Sequence, residues 1–226
     1  YDLGATSLTP ITGSNISIIG QSMEGTLICN HSHEYNESIN VTATLLNQSE
    51  NLYLQDLTIQ NKLNYYNAVS GGAGRAVCLY ERDSKNTICK NVRLLSYQDT
   101  YYTYSGLTKN FYWEDSEIHG TVDYLCGGGN VLYNRVTLVN ENRNATGAPN
   151  GETTIAAPRG DNYLDWGYVF LDCNVVCNSA TFNLGRSWGG TSRLNYIRTT
   201  IQEPEKLAKT RFTAAGMNIA AYGFYE

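Results

Sequence analysis

No apolar run in this 226-residue chain approaches the roughly 20 residues that a membrane-spanning helix needs, and no signal-peptide pattern opens it at Tyr1. No membrane partner is expected, and the chain reads as a mature or trimmed piece. Basic runs are missing too. With 16 Lys and Arg against 21 Asp and Glu, a net charge of −5 and a pI near 5.2, it lacks the electrostatic footprint of a nucleic-acid binder. A strongly anionic polymer is an awkward partner for such a surface unless part of its charge is masked. Histidine is scarce. His31 and His33 fall in a polar stretch without the ligand spacing of a zinc site, so no metal is expected. The cysteines, Cys29, Cys78, Cys89, Cys126, Cys173 and Cys177, show no zinc-like pairing either. They read as mostly buried thiols in a strand stack, with one or two disulfides in an oxidising compartment as the alternative.

Only four prolines interrupt the chain, while 18 tyrosines and 21 glycines favour a strand-rich, turn-rich fold over a helical one. Residues 14–30 read as two short strands about a turn, and 31–40 as a loop. From there one pattern recurs: an apolar residue, a spacer, a polar Asn or Asp, then a short alternating strand. It appears at 54–61, 89–96, 113–120, 133–140 and 171–178, with a weaker copy at 196–202. Its polar positions, Asp56, Asn91, Asp115, Asn134 and Asp172, are 35, 24, 19 and 38 residues apart. Such steps suit the coils, some with insertions, of a solenoid built from stacked parallel strands. No helical crossover separates the strands, which argues against an α/β sheet. The expected fold is therefore all-β, one solenoid domain over 1–226 that lacks the terminal coils a self-sufficient solenoid needs. Residues 141–166 form the longest polar interval and read as a loop walling a cleft. Asn-x-Ser/Thr triplets at Asn15, Asn30, Asn36, Asn40, Asn47 and Asn144 permit glycosylation if the source secretes through a eukaryotic pathway.

Two aspartates share one phase of this repeat. Asp99 lies eight residues beyond Asn91 and Asp123 eight beyond Asp115, so the pair is 24 apart, one coil. Stacked coils bring residues of equal phase to about 4.8 Å. Two carboxylates on that patch cannot both ionise freely, and one is pushed toward keeping its proton at neutral pH. An acid and a nucleophile can thus be made from the same residue type.

The motifs around them are Tyr97-Gln98-Asp99-Thr100, Gly120-Thr121-Val122-Asp123-Tyr124 and Leu184-Gly185-Arg186-Ser187-Trp188. In that order they resemble the pectinesterases (pectin methylesterases), with weaker likeness at 76–79 and 153–157 and an extent of about 15–225. The resemblance implies a single-stranded right-handed parallel β-helix that demethylates homogalacturonan (pectin) without metal or cofactor. It implies that Asp123 is the nucleophile, Asp99 the acid and then the base, and Gln98 a donor to the oxyanion. Arg186 resembles the guanidinium that keeps Asp123 ionised and oriented. Arg75, Tyr102, Tyr124 and Trp188 are the expected substrate contacts, with core packing as the alternative for each aromatic. A monomer is expected, and the resemblance implies secretion to an extracellular or periplasmic space. Four departures stand out: Arg75 where the family usually has Gln, Ser187 for Pro, Cys126 for Phe, and the absence of the family's first coils. Other readings are a non-catalytic pectin-binding module on the same fold, or a galacturonan lyase or hydrolase. The lyase lacks its calcium-binding carboxylate cluster here.

Overall fold

The computed structural model describes residues 1–5, 10–32, 38–65, 74–104, 109–143, 151–160, 166–188, 192–213 and 223–226. Among these residues, 20 strands lie in two parallel sheets, one of 13 strands and one of seven. A short helix, Ile39–Thr42, and a 3-10 turn, Pro204–Lys206, complete the regular structure. No helix among them is long and apolar enough to cross a membrane.

A coil supplies two strands to the large sheet and one to the small, the two being continuous through the corner in Asn51–Asn61 and Asn86–Leu95. One coil runs through Asn110–Glu114, Glu117–Gly120 and Val122–Gly127, and the next through Asn130–Asn134, Thr137–Asn140 and Glu152–Pro158. They stack in register, Phe111 on Val131, Ile118 on Leu138 and Val122 on Thr154. The result is the parallel β-helix that the repeat implies.

A single left-handed residue makes the bend between the two strands of the large sheet. Asp56, Asn91, Asp115 and Asp172 have φ of 55°, 52°, 49° and 52°. Asn and Asp tolerate this region better than most residues because their short polar side chains bond locally, which is why they recur. The remaining corners fall to Arg135 and Arg198, at φ 55° and 50°. The fourth polar position of the repeat is therefore Arg135; Asn134 ends the strand before it. Side chains at this edge link adjacent coils. Asn91 donates to Asp56 at 2.6 Å, and the Nε atoms of Arg135 and Arg198 donate to Asp115 and Asp172, each at 2.7 Å.

Inward positions form columns along the tube. One runs Leu54, Cys89, Trp113, Tyr133, Phe170, Tyr196, each paired in register with the next. Phe170 stacks on Tyr133 at 4.6 Å and on Tyr196 at 4.4 Å, the rings nearly parallel in both cases. Burying one such side chain contributes about 1.5–3 kcal/mol, so these columns hold the coils together. All six cysteines are buried and free, as the strand-stack reading expects. By contrast, Trp166 stands at the surface, 36% exposed.

The interval 141–166 is not one loop. Within it Glu152–Pro158 is a strand of the small sheet, buried from Thr153 onward; 144–150 and 161–165 lie outside the described residues. Its small residues, Thr153 to Ala157, fit a tightly packed row whose polar flanks disguise it. Of the glycosylation triplets, Asn30 and Asn47 are buried, 2% and 0% exposed, and bonded inside the tube. Asn15 and Asn40 are exposed, while Asn36 and Asn144 lie outside the described residues, as does His33. His31 pairs with Asp2 at 2.5 Å.

Candidate active site

Stacking places the two aspartates. Tyr101 in the strand Tyr101–Thr103 pairs with Leu125, an offset of 24 residues that carries Asp99 onto Asp123. Backbone bonds pin the two turns together: the amide of Asp99 donates to Val122 O at 3.2 Å, and that of Thr121 to Tyr97 O at 2.8 Å. Both aspartates repeat the left-handed device of the corners, with φ of 58° and 50°, where the chain turns into the small sheet.

A cavity of about 290 Å³ opens at this point. It is lined by Arg75, Gln98, Asp99, Tyr102, Asp123, Arg186 and Trp188, together with Ile39, Cys126 and Ala157. Arg186 closes the strand Thr181–Arg186 and grips Asp123 with its fork. Nε donates to Oδ1 at 2.9 Å and to Oδ2 at 3.0 Å, and Nη2 donates to Oδ2 at 2.5 Å. The contact raises the Arg186 pKa further and fixes a carboxylate that is only 6% exposed. Before it in the strand, Gly185 is held to glycine by packing: a Cβ there would meet Leu194 Cδ2 at 2.4 Å and Ala156 O at 2.9 Å.

Asp99 is the opposite case. Enclosure in protein and then the Asp123 charge push its pKa up to about 7, against the pull of Arg75, the Cys126 thiol and Arg186. The Cys126 thiol, itself raised well above its usual pKa by burial, stays protonated and donates to Asp99. Arg75 is held on the preceding coil by a backbone bridge to Gln98, with the Ala76 amide donating to Gln98 O at 2.9 Å.

The sequence-derived residues Gln98, Asp99, Asp123, Arg186, Arg75, Tyr102 and Trp188 thus converge on one cavity. Tyr124 does not. It is wholly buried in the tube among core side chains, because a residue beside an outward-facing strand position points to the other face. Tyr102 stacks on Tyr80 at 4.8 Å and lies 6.0 Å from Trp188, over which Arg159 sits at 5.7 Å. Tyr80, Arg159, Ile39 and Ala157 were not picked out from sequence. Tyr80 carried a usable signal, since it pairs in register with Tyr102 one coil away.

A model of the pectinesterase family matches residues 9–209. This chain belongs to that family. It is 34% identical to Putative pectinesterase 11 of Arabidopsis thaliana over 158 residues, 70% of this chain and 40% of that protein. With Pectinesterase B of Dickeya dadantii (strain 3937) it shares 27% identity over 177 residues, 71% of this chain and 39% of that one. The chain spans about two-fifths of the length of these curated relatives. Its fold is similar to that of pectin methylesterase PemA from Erwinia chrysanthemi, with a TM-score of 0.70 at 21% identity, covering 88% of this chain and 69% of that one. Within a pectinesterase chain the three substituted positions now have places. Arg75 and Cys126 line the cavity, and Ser187 is buried behind it, hydrogen-bonded to Ser192 at 2.7 Å.

Proposed function

We propose that this chain hydrolyses C6 methyl esters of homogalacturonan, giving methanol and a free galacturonate. The observation that carries the reading is one carboxylate clamped by Arg186 beside another whose proton persists to about pH 7. Asp123 attacks the ester carbonyl, and Gln98 donates to the oxyanion that forms. As the tetrahedral intermediate collapses, the bond to the methoxy oxygen breaks and Asp99 gives that oxygen its proton, releasing methanol. Asp99, now a carboxylate, removes a proton from water. The hydroxide attacks the acyl carbon, Asp123 leaves as a carboxylate, and the uronic acid formed gives up its proton to solvent. Arg186 donates its hydrogen bonds to Asp123, keeping it aligned throughout. Tyr102 and Trp188 offer aromatic faces to the sugar. Such a polymer lies in the plant cell wall, so the reading places the chain outside the cytoplasm.

The net charge of −5 is tolerable because an esterified polymer carries little charge of its own. The test is methanol release from esterified pectin. Asp123→Asn is expected to lower it by about 10⁴-fold or more while polymer binding persists. Turnover near that of the wild type in this variant would remove the nucleophile assignment. A wild-type chain that binds pectin and releases no methanol would favour the binding-module reading.

A further inference from the structure

We propose that Thr100 is a positioning residue for this site: its hydroxyl ties the turn that carries Asp99 to the strand that delivers Asp123, and so sets the gap between the two carboxylates. The inference rests on the pectin-esterase reading above and adds a residue that stands outside the cavity lining. Thr100 follows Asp99, just before the strand Tyr101–Thr103, and is wholly buried. Its Oγ1 donates to His119 O at 2.8 Å and to Tyr97 O at 3.2 Å, one proton shared between two carbonyls. His119 belongs to the strand Glu117–Gly120, which runs into the turn of Asp123, while Tyr97 opens the turn of Asp99. The Tyr97 carbonyl also accepts from the Thr121 amide at 2.8 Å, so both turns meet at this hydroxyl. The Thr100 carbonyl in turn accepts from the Cys78 amide at 2.8 Å, which fixes Thr100 to the coil before.

The gap matters because Asp99 answers to what lies across it. Enclosure and then the Asp123 charge push its pKa up to about 7, against smaller pulls from Arg75, the Cys126 thiol and Arg186. The Tyr102 phenol beside it is kept neutral by burial. Valine has the shape of threonine but puts a methyl where the hydroxyl stood. A carbon keeps about 3.3–3.6 Å from a carbonyl oxygen, so His119 O has to retreat from its present 2.8 Å by roughly 0.5 Å. A wider gap admits water and moves the Asp123 charge away. These are the two largest influences on Asp99, and both losses let it give up its proton at lower pH. The acid is also misplaced against the nucleophile, and a shift of about 1 Å can cost up to about 100-fold in rate.

The experiment compares wild type, Thr100→Val and Thr100→Ser by carbon-13 NMR titration of the Asp99 carboxyl and by methanol release from esterified pectin across pH. In Thr100→Val the Asp99 midpoint is expected to fall by about 0.5 pH unit, the alkaline limb of kcat to move down with it, and kcat to drop about tenfold while KM holds. Thr100→Ser keeps the hydroxyl and should keep the midpoint and kcat of the wild type. An unmoved midpoint in Thr100→Val, or a lower kcat with the alkaline limb in place, overturns the proposal and leaves Thr100 a packing residue. If Thr100→Val does not fold, Thr100→Ser decides: wild-type behaviour supports the hydroxyl, and a loss of about tenfold would credit the methyl and overturn the proposal. A wild type that releases no methanol, with the midpoint still falling in Thr100→Val, would sink the esterase reading and keep the positioning role.

Discussion

Asp99 and Asp123 sit on a left-handed backbone that favours Asn as much as Asp, so Asp→Asn is the substitution that tests the proposed chemistry apart from folding. An Ala at either position adds roughly 1 kcal/mol of backbone strain, and at 123 it strips Arg186 of its partner. On the proposed mechanism Asp99 must be protonated to release methanol, so turnover should decline as pH rises through about 7. The Cys126 thiol hydrogen bond favours the ionised form of Asp99 and therefore lowers that limit. Cys126→Ala removes the bond, and the alkaline limb of the pH–rate profile should move upward. A limb that stays in place, or moves down, would show that the thiol does not act on Asp99. The carboxylates and Arg186 were legible in the sequence because Asp99 and Asp123 fall one coil apart and three motifs came in order. Tyr124 was misread because it was grouped with the cavity by its closeness to Asp123, whereas alternation along a strand sends the neighbour of an outward-facing residue into the tube.

At the scale of the element, the corners explain both what could be read and what could not. Asn and Asp announce a left-handed residue through their own chemistry. Arg135 and Arg198 do not; neighbouring coils impose the conformation on them, so the repeat looked one residue short at 134. The same stacking builds an outward cluster near the site. His119 meets Glu141 through Nδ1 and Glu117 through Nε2, both at 2.6 Å, while Arg93 reaches Glu117 at 2.9 Å and Glu24 at 3.5 Å. The His119 carbonyl accepts from Thr100 Oγ1 at 2.8 Å, next to Asp99. Burial alone would lower the His119 pKa, but the bonds and charges of Glu141 and Glu117 outweigh it and raise the value. A raised folded-state pKa stabilises fully below the unfolded value, about 6.5, and that stabilisation is lost as pH climbs through the folded one. His119→Gln should therefore lower Tm by about 2–4 °C per kcal/mol removed, with the gap widest below pH about 6.5 and shrinking above. Thermal scans across pH that show a constant gap would mean that His119 is not charged in the fold.

As a whole molecule the solenoid was readable from a recurring polar-then-strand pattern and the lack of helical crossovers, although the steps between copies run from 19 to 38 residues. The buried strand at Glu152–Pro158 was not, because its small residues lie between polar flanks that look like loop. Six free thiols packed along the tube mean that no bridge holds the chain together. Reductant should leave Tm unmoved, and six thiols should titrate after denaturation; fewer, or a reductant-sensitive Tm, would reveal a disulfide. The three tryptophans sit at three depths: Trp113 sealed in the core column, Trp188 on the cavity wall and Trp166 at the surface. Their emission is therefore separable. Trp113 shines from a dry surround that dissolved quenchers cannot reach, Trp166 is open to them, and Trp188 goes dark to them when a sugar covers it. A quenching titration with oligogalacturonide would then read tube, surface and cleft from one unlabelled sample.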